Sequence, residues 1–75
     1  MKKHSDAKPP QLLFTERQLD VISCWSEVSG EMAVAERLGV SVHTVHTHLK
    51  RMRQKIGVKR TFEVYQYARK QGWLE

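Results

Sequence analysis

The stretch that decides the fold is Ala35-Glu36-Arg37-Leu38-Gly39-Val40-Ser41-Val42-His43-Thr44-Val45-His46-Thr47-His48-Leu49. Gly39 interrupts a helical pattern, because glycine takes a left-handed conformation at little cost. Ser41 follows at a good N-cap position. Beyond it Val42, Val45, Leu49, Met52 and Ile56 recur at intervals of three and four, the strongest helical period in the chain. The spacing predicts a helix over about 42–56. Upstream, Val34, Ala35 and Leu38 give a short apolar face to a helix over about 31–38. Two helices joined by a Gly-containing turn of about three residues have helix-turn-helix spacing.

The pattern extends outward from this pair. Thr15-Glu16-Arg17-Gln18 reads as a capping box, with Phe14 in the position of a hydrophobic staple. The helix it starts places Val21, Ile22, Trp25 and Val28 on one face and stops before Ser29-Gly30. On the other side, Gly57 ends the long helix and Thr61 is in place to cap a fourth, through about Gln71, with Val64, Tyr65 and Ala68 inward. Gly72 stops that helix, and Trp73-Leu74 fold back onto the core. No run alternates with period two for long enough to make a strand. The expected fold is all-α, a four-helix bundle-like helix-turn-helix domain. In a chain of 75 residues it forms one domain over 14–75, behind a flexible arm or linker end at 1–13 that contains Pro9-Pro10.

Charge points to the partner. Lys and Arg number 13 against 8 Asp and Glu, a formal net charge of +5. The distribution is more telling than the total. Lys50, Arg51, Arg53, Lys55, Lys59 and Arg60 fall within eleven residues that contain no acid, whereas Asp20, Glu27, Glu31 and Glu36 lie in the first half. On the wheel of the third helix, the face opposite the apolar stripe carries His43, Thr47, Lys50, Arg51 and Gln54, flanked by Thr44 and His46. A solvated face usually mixes Glu with Lys at i,i+4, but no Asp or Glu occurs from Ser41 until Glu63. Cations for phosphate, with short polar and long donor side chains for base edges, suit a helix entering the major groove of DNA.

These residues resemble the C-terminal effector domain of the LuxR/FixJ family of bacterial regulators, which includes NarL-type and GerE-like proteins. The resemblance runs from Phe14 to Leu74. It rests on Phe14-Thr15-Glu16-Arg17-Gln18, on Ala35 to Ser41, on Thr44-Val45-His46-Thr47-His48, on Lys55-Ile56-Gly57-Val58, on Tyr67-Ala68 and on Gly72-Trp73-Leu74. It implies that the third helix enters the major groove, that positions His46, Thr47 and Lys50 read bases, and that Ser41, Thr44 and Arg51 hold phosphates. It also implies a homodimer on DNA through the fourth helix, at Gln66, Tyr67 and Lys70. The chain departs from the family pattern in several places. His46 stands where the family usually has Lys, Met32 where it usually has a Lys, and Val28 where it has a glycine after the first helix. Gln18 replaces a Glu, and Thr61 replaces an Arg. Two basic contacts are thereby weakened.

The expected function is sequence-specific binding of double-stranded DNA by a cytoplasmic, nucleoid-associated regulator of transcription. The alternative is a protein-interaction module that keeps the fold and binds another regulator or RNA polymerase. Leu19, read as pointing away from its apolar stripe, is a candidate for such a contact. His43, His46 and His48 lack a neighbouring Asp, Glu or Cys to complete a metal shell, so no metal or cofactor is expected. The one cysteine, Cys24, lies beside an apolar face and reads as packing. No nucleophile–base spacing, paired carboxylate or Gly-rich phosphate loop suggests an enzyme. No apolar run reaches the length of a membrane span. With no room for a receiver or ligand-binding domain, the chain either stands alone or is the effector end of a longer regulator.

Overall fold

The computed structural model describes residues 13–74, and residues 1–12 of the expected arm lie outside them. Four helices follow in order: α1 Glu16–Trp25, α2 Glu31–Leu38, α3 Val42–Ile56 and α4 Thr61–Lys70. There is no strand among the described residues.

Local chemistry sets the ends of these helices. The Gln18 amide donates to Thr15 Oγ1 at 3.0 Å and the Thr15 amide donates to Gln18 Oε1 at 3.1 Å, closing the expected capping box of α1. Between α2 and α3 the chain turns at Gly39, with φ 71°. There the Val40 amide donates to the Ala35 carbonyl at 3.0 Å and the Gly39 amide to that of Glu36 at 3.4 Å. This pair of bonds is a Schellman motif, which satisfies the last carbonyls of α2 and requires a left-handed residue at its corner. Ser41 then caps α3, its Oγ accepting from the Thr44 amide at 3.0 Å.

The start of α4 differs from expectation. Thr61 is its first residue and not its cap, because its hydroxyl accepts from Arg53 Nη1 of α3 at 2.9 Å. Glu63 ties down the entry instead, with Oε1 accepting from the amides of Lys59 and Arg60 at 3.2 and 3.1 Å. The two arrangements satisfy the same need, a partner for amides that the helix itself leaves open.

The core joins all four helices. Ile22, Val34, Val45, Leu49, Met52, Val64 and Ala68 are fully buried, and Cys24 is buried among them. Burying each aliphatic side chain of this size contributes about 1.5–3 kcal/mol against leaving it in water. α1 packs against α2, α3 and α4, so it buries more than one stripe. That overturns the reading of Leu19 as an outward residue: it is 1 % exposed. Leu19 is the fourth residue of α1 and Phe14 precedes the cap, the two positions of a hydrophobic staple. Both are in the one buried cluster. Gln18 also faces inward, its amide spent on the cap. Val42 departs in the other direction and is 45 % exposed. As the first residue of α3 it lies where the helix leaves the core, while the stripe below it is sealed. At the far end, the Trp73 amide donates to the Ala68 carbonyl at 3.0 Å. The Trp73 ring meets Phe14 edge-on at 5.5 Å, so the tail does fold back.

Candidate nucleic-acid interface

α3 is the longest helix, at 15 residues or about 22 Å. Its inward arc of Val45, Leu49 and Met52 is sealed by the core. That anchoring fixes the rotation of the helix and so decides what faces out. Of the expected site residues, Ser41, His43, His46, Lys50, Arg51 and Gln54 are exposed, and Thr44 and Thr47 are half-buried. All eight lie away from the sealed arc, seven along α3 and Ser41 at its cap.

Ser41 and Thr44 are coupled: besides the cap bond, their hydroxyl oxygens stand 3.0 Å apart in a hydrogen bond that either can donate. The first turn of α3 contains no acidic residue, which leaves the positive end of the helix dipole uncompensated. The cations divide into two groups. Arg53 is held by Thr61, and Lys55 Nζ donates to the Leu13 carbonyl at 3.0 Å, so both stabilise the fold. Lys50 and Arg51 form no ion pair or side-chain hydrogen bond among the described residues. They are free to meet an anion without breaking a contact first.

The three histidines of α3 have different surroundings. His43 is exposed. His46 lies on the flank facing α2, with Nδ1 3.4 Å from Glu31 Oε1. No local sequence signal marks that contact, since the partners are on different helices. His48 is half-buried, and its Nδ1 has no hydrogen-bond partner among the described residues. Burial, then Arg17 and Arg51 nearby, lowers the pKa of the His48 imidazole and favours its neutral form. Among the described residues no cluster of three or more His, Cys, Asp or Glu side chains could hold a metal ion. No helix among them is long and apolar enough to cross a membrane.

On the expected partner surface of α4, Gln66 and Lys70 are exposed and Tyr67 is half-buried. Its ring packs on Phe14 at 6.4 Å and on Trp73 at 5.7 Å. The aromatic residue that does face out is Phe62, at 52 % exposure. It lies beside Tyr65 at 6.2 Å. Tyr65 in turn accepts a hydrogen bond from Arg69 Nη1 at 3.1 Å. The sequence signal for Phe62 was its place off the Val64–Ala68 stripe. Phe62, Glu63, Tyr65, Gln66, Tyr67, Arg69 and Lys70 line a shallow groove, so the expected Gln66, Tyr67 and Lys70 all border it.

The family described as bacterial regulatory proteins, luxR family, matches residues 12–68, well over half of the chain. Among curated proteins, the oxygen regulatory protein NreC of Staphylococcus aureus strain bovine RF122 / ET3-1 is 31 % identical over 71 residues. That alignment covers 95 % of this chain and 33 % of the relative. NreC of Staphylococcus aureus strain JH9 is 33 % identical over 66 residues, covering 88 % of this chain and 30 % of the relative. The chain thus spans about a third of the length of these relatives. No solved structure matches it. With the matched family covering α1 to α3 and most of α4, and with an all-helical helix-turn-helix fold, the chain belongs to the luxR family of bacterial regulatory proteins.

Proposed function

We propose that this domain binds double-stranded DNA sequence-specifically, as a regulator of transcription, by laying α3 in the major groove. One observation carries the reading: the solvent face of α3 combines exposed Lys50, Arg51 and Gln54 with His43, His46 and Thr47, without an acidic residue on the helix. In this arrangement His46, Thr47 and Lys50 face base edges. Ser41, Thr44 and Arg51 hold phosphates beside the positive end of α3, and His43 and Gln54 extend the contact. The NreC relatives are regulators by name, which agrees with this role.

The described residues measure 31 Å along their longest axis. Half-sites one helical turn apart are separated by about 34 Å, so one domain serves one half-site. A second copy, meeting the first through Phe62, Gln66 and Lys70 of α4, would serve the other. The setting is the cytoplasm, at the nucleoid. The alternative of an interaction module rests on the exposed Phe62, and α3 gives it no support.

The test is retention of the chain on immobilised random-sequence duplex DNA across a salt gradient. The reading predicts retention at low salt and release as salt rises, because bound phosphates displace counterions. A chain that passes through at low salt is not a DNA-binding domain.

A further inference from the structure

We propose that Glu31 is a positioning residue for His46, and that it makes the base preference of His46 depend on the proton count of the ring. The inference rests on the DNA-binding reading and adds a residue of α2 to the recognition surface.

The Glu31 carboxylate lies 3.4 Å from Nδ1 of His46. A carboxylate only accepts hydrogen bonds. Its negative potential at Nδ1 favours the tautomer that carries hydrogen there, leaving the lone pair on Nε2. The first turn of α2, where Glu31 stands, favours a carboxylate through the helix dipole. Both side chains are partly exposed, His46 at 54 % and Glu31 at 34 %. The pair is therefore worth little to stability, and what it supplies is orientation. Along α3 the nearest charged or titratable groups at helical spacing are His43, three residues before it, and Lys50, four residues after it. On α1, Arg17 pairs with Asp20 at 3.6 Å and donates to the Leu38 carbonyl at 3.5 Å. α4 meets α3 through Thr61 and Arg53.

In the Nδ1–H tautomer, Nε2 is the ring nitrogen left to meet a base. In the neutral ring Nε2 is an acceptor and suits the amino groups of cytosine N4 or adenine N6. In the charged ring it is a donor and suits guanine O6 and N7 or thymine O4. One proton on Nε2 therefore separates the two readings. A permanent cation at this position offers only the second.

The tautomer is read without DNA by 15N NMR of the full chain at pH 8, in the parent and in Glu31→Gln. The expected result is the Nδ1–H form in the parent and a shift toward Nε2–H, the form favoured in free histidine, in the variant. A ring already in the Nε2–H form in the parent overturns the proposal whatever the DNA result. The second arm selects sites from a randomised duplex pool at pH 6 and pH 8. In the parent, preference at one base pair should change by roughly fivefold or more, and the change should be lost in both Glu31→Gln and His46→Gln. His43 is untouched in these variants, so its own contribution cancels in the comparison. A preference that is the same at both pH values, or a change that persists in Glu31→Gln, overturns the proposal and leaves DNA binding intact. No enrichment at either pH overturns it as well. No enrichment together with no salt-sensitive retention on random duplex overturns the DNA-binding reading itself.

Discussion

α3 and α4 pack against the same core and turn different faces outward. Inward, both use fully buried aliphatic residues, Val45 and Leu49 on one and Val64 and Ala68 on the other. Outward, α3 presents Lys50 and Arg51 without partners among the described residues, and no acid. α4 presents exposed Phe62 beside Tyr65, with Glu63 and Arg69 already engaged in contacts within their own helix or its entry. An unpaired cationic face suits a polyanion, whereas an aromatic face rimmed by charge suits another protein surface. The lesson is that burial fixes the rotation of each helix and so decides which chemistry is left outside.

The largest effect should come from breaking what the two helices share. Leu49→Ala removes a fully buried side chain from α3 and should cost about 2–5 kcal/mol of stability, read as a fall in the urea midpoint. Its neighbour Lys50 should behave in the opposite way. Lys50→Ala should leave stability within about 0.5 kcal/mol, yet cost about 1–3 kcal/mol of binding on the preferred duplex. Titrations of preferred and random DNA check this. Equal losses on both would make Lys50 a phosphate contact.

The α4 face is tested by Phe62→Glu. Affinity for a duplex with two half-sites should fall about tenfold, the scale of an interface anchor, while affinity for a single half-site holds. Equal losses on both would move the contact between copies elsewhere. Tyr67 is a poor probe of the same surface, because its ring supports Phe14 and Trp73.

The smallest effect concerns His48, half-buried on α3. Its pKa is lowered in the folded chain by burial, then by Arg17 and Arg51. The unfolded chain therefore binds the extra proton first. The contribution of neutral His48 is fully present above about pH 6.5 and is lost as pH falls through the depressed folded value. Urea midpoints at pH 7.5 and pH 5 should drop more for the parent than for His48→Gln. An equal drop in both would assign the acid sensitivity to other groups.

The order of the helices and most of their bounds were legible in the sequence, because periodicity, capping residues and glycines are local signals; the exception is the end of α1, which stops at Trp25 rather than after Val28. So was the face of α3, since a single helix wheel places every residue relative to Val45 and Leu49. What escaped depended on more than one helix. Leu19 looked outward on the wheel of α1, but α1 meets three neighbours and a staple from Phe14, and no single stripe describes it. Tyr67 does border the α4 groove, but the contact of its ring with Trp73 of the tail had no local signal. Thr61 is a sound cap by type, yet Arg53 of α3 claims its hydroxyl. The contact of Glu31 with His46 joins residues of two helices and has no signature in either.

The central claim is that the face of α3, and not that of α4, meets the phosphates of DNA. The most direct measurement is the dependence of duplex affinity on salt for the parent, Arg51→Ala and Arg69→Ala. The parent should weaken linearly in log–log form, Arg51→Ala should be shallower by about 0.9, the loss of one phosphate contact, and Arg69→Ala should follow the parent. A parent without slope, or an Arg69→Ala slope reduced as much as that of Arg51→Ala, would contradict the account.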